Sequence, residues 1–256
     1  MRNIHVALLS AMPSEIGKTL DYLDELKVFN YGDLKIYQGY LKKDDFSECN
    51  VFMSVAWSGW GKVSAARACT RMISHASNTK PIDLILFTGV AGAIKSKLKQ
   101  WDIVIPEKVI HHDLDATPIF EKYVIPGVNI DKLVTPIKWH NWIFDAVKKA
   151  KNEGFLNGFG NVSTGLVGTG DRFISSREEI QRLSIQIEEL VAVEMEGAAV
   201  AQVAFQEKLP WVIVRVISDA ADESAADNFN EFLKKYEANC WNLIKSILIE
   251  TRNLAE

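Results

Sequence analysis

The run Trp211-Val-Ile-Val-Arg-Val-Ile217 constrains the fold of this chain more tightly than any other segment. Its β-branched residues suit a strand, and a strand this apolar must be covered on both faces. Arg215 interrupts it. A charged group inside such a run needs a buried partner, so Arg215 is expected to point at an acid or at a functional site. Leu84–Phe87 is a second continuous apolar run of the same kind. Val6–Ser10, Leu34–Leu41, Val51–Val55 and Asn161–Val167 also read as strands. So do Leu190–Val193 and Ile103–Ile110, the latter broken by Pro106.

Helical segments alternate with these strands. Pro13 sits where a first helical turn tolerates proline, and Ile16, Leu20 and Leu23 share one face of a helix expected to run to about Leu26. Ser58–Gly61 reads as a tight turn before a helix over Lys62–His75. Trp142–Lys151 is amphipathic, and Ser176 with Glu179 forms a capping box that opens another helix. Glu196–Gln206 and about Asn228–Asn253 complete the helical set. Thr88–Gly92 and Gly168–Phe173 read as loops. The segment His111–Trp139 reads as one long loop, a length that is usually functional or disordered. Apolar strands alternating with helices predict an α/β fold with a mostly parallel sheet. With no internal repeat and no linker, residues 1–256 are expected to form a single domain.

Composition narrows the function. Of 256 residues, 24% are charged and the formal net charge is −4, with Lys and Arg scattered. No basic stripe marks a nucleic-acid partner. Cys49, Cys69 and Cys240 are odd in number and widely spaced, so they read as free thiols of a reducing compartment. His111 and His112 have no further His or Cys at ligand spacing, and no metal is expected. His5 interrupts the first apolar run, which argues for a strand rather than a secretory leader. No stretch approaches the roughly 18 apolar residues of a membrane span. There is neither a dinucleotide fingerprint nor a P-loop, so no cofactor is expected.

In parallel sheets, ligands lie beyond the carboxyl ends of the strands. Glu15 follows the first strand in an expected first helical turn, where the helix dipole would favour an ionised base. Position alone leaves open a simple helix-start acid. Glu194-Met195-Glu196 follows a strand and precedes the small residues Gly197-Ala-Ala. A carboxylate there could accept both hydroxyls of a ribose diol, or the two acids could be a capping or salt-bridged pair. Ser218-Asp219-Ala-Ala-Asp222 ends the most apolar strand. Desolvation at that junction would raise an acid's pKa and suit a proton donor, or the Asp could simply cap the following turn.

Taken in order, the chain resembles the purine nucleoside phosphorylase superfamily, and within it the methylthioadenosine/S-adenosylhomocysteine nucleosidases. The segments that carry the resemblance are Ala11-Met-Pro-Ser-Glu15, Gly59-Trp-Gly-Lys62-Val-Ser-Ala-Ala, Thr88-Gly-Val-Ala-Gly92, Gly170-Asp-Arg-Phe-Ile174, Val193-Glu-Met-Glu196 and Arg215-Val-Ile-Ser-Asp219. The resemblance implies a three-layer α/β/α sandwich around a twisted mixed β-sheet. It implies catalysis by Glu15, activating water, and by Asp219, protonating adenine N7. It implies ribose binding by Met195 and Glu196, and an adenine site at Phe173 and Ile174. Gly92 would lie beside the substrate, with Arg215 and Ser218 supporting the acids and the water. The implied partners are 5′-thioadenosine substrates and a second copy of the chain, whose closing surface would include Ile119, Phe120 and Pro126. The implied location is the cytoplasm.

Phosphorolysis is the rival within the superfamily. A phosphorylase needs cations for phosphate, and its relatives carry a Gly-Asp-Pro-x-Arg segment after the first strand and an Arg before the central Gly-Thr loop. Here those regions read Ser-Ala-Met-Pro-Ser-Glu15 and Leu-Phe-Thr-Gly. Val90 and Ala93 stand where many relatives have Ser and Gly. The same superfamily also hydrolyses futalosine, and some of its members bind nucleosides without turnover. Intact Glu15, Glu196 and Asp219 argue against a binder without catalysis.

Overall fold

The computed structural model describes residues 4–43, 51–77, 80–219 and 225–251, with side chains from 229 onward in the last segment. Cys49, Asp222 and Asn253 lie outside the described residues. Among the described residues, ten strands join one sheet in the order β10-β6-β8-β9-β5-β1-β4-β3-β2, with β7 against β6 and a further pairing of β10 with β5. The strands are β1 (Ile4–Ser10), β2 (Leu23–Tyr31), β3 (Leu34–Leu41), β4 (Val51–Trp57) and β5 (Leu84–Ala93), then β6 (Ile103–His111), β7 (Lys132–Val134), β8 (Val162–Thr169), β9 (Leu190–Glu194) and β10 (Trp211–Asp219). The β10–β5 pairing closes β10, β6, β8, β9 and β5 into a ring, and β1, β4, β3 and β2 extend from it as an open wing.

Strand alternation builds two cores. In β10, Val212, Val214 and Val216 face α2 (Ile137–Asn152) and α5 (Ala225–Ile249). Trp211, Ile213 and Ile217 face α1 (Lys62–Ser77) and α4 (Gly197–Gln206). β1 divides likewise, with Val6 and Leu8 on one side and Ala7 and Leu9 on the other. Each such strand is therefore apolar at every position, as its sequence requires. A smaller cluster packs α3 (Arg177–Gln186) through Leu183 against Leu166 and Leu190. Ser176 caps α3 by accepting from Glu179 N at 3.2 Å. Helices on both faces of a mixed sheet make the three-layer sandwich.

Several local expectations are corrected. The sheet is mixed rather than mostly parallel, since β10–β6, β5–β9, β2–β3, β3–β4 and β6–β7 are all antiparallel. The helix expected to reach Leu26 is two short 3₁₀ turns, Pro13–Glu15 and Thr19–Tyr22, followed by β2. Gly17 lies between the turns at φ +50, and a Cβ there would meet Glu237 O of α5 at 2.7 Å. Close packing on α5 thus overrides the helical spacing of Ile16, Leu20 and Leu23. Thr88–Gly92 is not a loop but the second half of β5, paired with β10 from Thr88↔Val214 to Asp219↔Gly92. Gly89 serves close approach rather than turning, since a Cβ there would meet Arg215 and Glu15. Pro106 does not end β6; the register with β8 shifts between Pro106 and Lys108 and pairing resumes. The long loop over His111–Trp139 contains β7, and α2 starts at Ile137, five residues before Trp142.

Candidate active site

β10 ends beside β5, and the loops after β1, β8 and β9 converge on the same rim. A cleft opens there. Eight residues singled out in the sequence line it: Glu15, Gly92, Phe173 and Ile174, together with Met195, Glu196, Ser218 and Asp219. Arg215 does not line it. Its side chain is fully buried beneath the floor, stacked 4.1 Å from the Phe87 ring centroid.

Glu15 ends the first 3₁₀ turn and is 2% exposed. A turn of three residues has no appreciable macrodipole, so the expected dipole is replaced by discrete donors. Ala11 N and Met12 N each donate to Oε2 at 2.8 Å, and Val90 N donates to Oε1 at 3.1 Å. Burial raises the Glu15 pKa above its ordinary value, while the Arg215 charge and these amides act in the other direction. A base moved up toward neutrality is a better proton acceptor.

The two acids at the end of β9 divide their work. Glu194 Oε2 accepts from Gly197 N at 2.7 Å and Glu196 N at 3.2 Å, and it takes the Arg215 Nη2 donor. Thr169 Oγ1 donates to Oε1. Glu194 is thus both the capping and the salt-bridged carboxylate. Glu196 is left to face the cavity, where Oε1 accepts from Gly61 N at 2.8 Å. Burial, reinforced by the nearby Glu194 charge, pushes the Glu196 pKa up to about 8. Arg215 lies 4.0 Å from Glu196 Oε2 and balances the cluster. Burial alone would lower the Arg215 pKa, but Glu194, Glu15 and Glu196 raise it.

Asp219 closes the opposite wall at the end of β10. The Ser218 hydroxyl lies 2.5 Å from Asp219 Oδ2 and 3.3 Å from Ala91 O, and Gln100 Nε2 fixes the Ser218 carbonyl at 2.7 Å. Phe173 is 39% exposed and meets Phe229 edge-on at 5.8 Å; Phe229 meets Trp60 in the same way at 6.1 Å. These aromatic faces suit a planar ring. Glu194, weighed in the sequence beside Glu196, also lines the cavity, as do Trp60 and Phe229, of which no role was expected from the sequence. Trp60 stands within the motif that begins at Gly59, whereas Phe229 sits 55 residues beyond Ile174 and reads as an ordinary core position of α5.

His111 and His112 are buried, and burial lowers both pKa values. His111 Nε2 meets Gln202 Oε1 at 3.0 Å. Among the described residues, no three His, Cys, Asp or Glu stand where they could hold a metal ion. No helix among them is long and apolar enough to cross a membrane.

This geometry has close counterparts. The model of the phosphorylase superfamily matches residues 5–249. The 5′-methylthioadenosine/S-adenosylhomocysteine nucleosidase of Haemophilus ducreyi is 33% identical over 234 residues, covering 90% of this chain and 91% of that protein. The crystal structure of the Neisseria meningitidis enzyme of the same name, in complex with methylthio-immucillin-A, has a TM-score of 0.83 at 32% identity and covers 95% of this chain and 97% of its own. The futalosine hydrolase of Helicobacter pylori has a TM-score of 0.80 at 28% identity, with 95% and 97% covered. This chain belongs to the phosphorylase superfamily and, within it, to the 5′-methylthioadenosine/S-adenosylhomocysteine nucleosidases.

Proposed function

We propose that this chain hydrolyses the N-glycosidic bond of 5′-methylthioadenosine and S-adenosylhomocysteine, releasing adenine and the 5-thioribose. The observation that carries this reading is the convergence of Glu15, Glu196 and Asp219 on one cavity, with Phe173 on its wall. The C1′–N9 bond breaks and its electron pair leaves with adenine. Asp219 delivers a proton to N7 of the departing base. Water attacks C1′ from the opposite face, and Glu15 takes its proton. Glu196, with the Met195 main chain beside it, receives the ribose diol. Carboxylates near the sugar favour the positive character that develops there.

The cations argue for water over phosphate. Arg215 is below the floor and engaged with Glu194. Arg172 lines the cavity but pairs with Glu179. A phosphate dianion would instead meet the Glu15 carboxylate. Val90 places an apolar side chain beside Glu15 while its amide holds Oε1, so the base keeps its donor although a hydroxyl is missing there.

The chain acts as one domain, supported by a single sheet running through the described strands. It works as a homodimer whose partner closes the 5′ end of the cavity; Ile119, 84% exposed, with Phe120 and Pro126 nearby, supports this. A cytoplasmic place in nucleoside catabolism and methionine salvage fits the free, buried Cys69 and Cys240. Adenine release from methylthioadenosine, S-adenosylhomocysteine and aminofutalosine tests the reading. Turnover of the first two is expected, and turnover of aminofutalosine alone would overturn it.

A further inference from the structure

Phe173 and Ile174 reach the cavity from a segment outside regular structure, so something else must fix their position. Asp171 N donates to Asp113 Oδ2 at 2.9 Å. Lys62 N, at the start of α1, donates to Asp171 Oδ1 at 2.7 Å. Lys62 Nζ bonds Asp113 Oδ1 at 2.6 Å and lies 3.9 Å from Asp171 Oδ2. The neighbouring amide, Gly61 N, is the one held by Glu196. Consecutive amides at the start of α1 are therefore taken up by two different walls of the cavity. Gly61 adopts φ +91, and a Cβ there would press on Asp171 Oδ1 at 2.9 Å. Behind the segment, the His112 ring occupies the space a Gly170 side chain would need, and His112 N donates to Thr169 O at 2.9 Å.

We propose that Lys62, Asp113 and Asp171 form a positioning clamp that sets the placement of Phe173 and Ile174, so that purine affinity depends on three side chains outside the cavity lining. This rests on reading the cavity as a nucleoside site. One partly exposed ion pair contributes little. Here each carboxylate also takes a main-chain N–H in a charge-assisted bond, and the closed arrangement ties together segments distant in sequence. Burial would raise the Asp113 pKa, but Lys62 and the Asp171 amide outweigh it and hold the carboxyl below its usual value.

The test compares Asp113→Ala, Lys62→Met and the conservative Lys62→Arg in the full chain. Amide exchange at 171–174 should quicken in the first two, with β10 unchanged. Their adenine affinity, measured by calorimetry, should fall about tenfold, as for a lost bond to a charged group. KM should rise in parallel while kcat stays within about twofold, the signature of lost binding rather than lost chemistry. Lys62→Arg should restore most of both effects. Wild-type exchange and affinity in Asp113→Ala and Lys62→Met would overturn the clamp. So would a fall in kcat at unchanged KM, or global unfolding of both variants, which would make the role merely structural. If the wild-type chain binds no adenine, the nucleoside reading fails while the exchange data still decide the clamp.

Discussion

A side chain at Gly89 would stand where the Arg215 guanidinium now lies. Gly89 pairs with Arg215 across β5 and β10, and a Cβ there would overlap Arg215 Nη1 and come within 2.5 Å of Glu15 Oε1. The absent side chain is what lets a buried cation and a buried carboxylate share the floor of the cavity. Gly89→Ala should destabilise the fold by about 1–3 kcal/mol, as overpacking does, and should cost more in kcat than in KM. Urea denaturation beside steady-state kinetics checks both. Unchanged kcat would show that this close approach is not needed.

Removing the cation should be worse than crowding it. Arg215 is wholly buried against Glu194, with Glu15 and Glu196 nearby. Arg215→Met would leave buried negative charge uncompensated, and a loss of about 3–5 kcal/mol is expected. A variant with wild-type resistance to urea would contradict the proposed balance of charge.

Much of this was legible because the strands are so apolar. Trp211–Ile217 and Leu84–Phe87 had to be covered on both faces, and Arg215 inside the first had to find an acid; the acid is Glu194. What the sequence hid was tertiary. Gly89 and Gly92 look like loop residues until β10 and β9 are placed beside them. Ile16, Leu20 and Leu23 keep helical spacing, yet Gly17 packed on α5 forces two short turns. Glu194 and Glu196 were indistinguishable by position; only the start of α4 and Arg215, which engage Glu194, show which carboxyl is left for a ligand. Phe229 reaches the site from a helix whose periodicity marks it as core.

Stability should fall with rising pH in the unliganded protein. Glu196 has its pKa raised in the fold to about 8 from an ordinary 4.5. The fold therefore keeps a proton that the unfolded chain releases. That stabilisation is complete below 4.5, declines as the unfolded chain ionises, and is gone once the pH passes about 8. Glu15, also raised, contributes in the same direction. Glu196→Gln should flatten the slope of unfolding free energy over that window. An unchanged slope would mean that Glu196 is ionised throughout.

The acids should separate by kinetic signature. Asp219→Asn keeps the shape of the side chain but has no acidic proton for N7. Its kcat should fall by about 10²–10⁴-fold, the usual worth of a proton-transfer group, with affinity for a stable nucleoside analogue largely kept. Glu15→Gln should behave alike because water loses its proton acceptor. Glu196→Gln should raise KM as well, since the ribose diol loses one of the two carboxyl oxygens that receive it. Asp222 is the competing donor in sequence. An inactive Asp222→Asn beside a near-normal Asp219→Asn would move the assignment.

The most direct measurement is product analysis with 5′-methylthioadenosine in phosphate-free buffer. Adenine and free 5-methylthioribose should appear together in equal amounts, at a rate that added phosphate does not raise. Product that forms only when phosphate is present, and carries it as the sugar 1-phosphate, would contradict water as the nucleophile and with it the role given to Glu15.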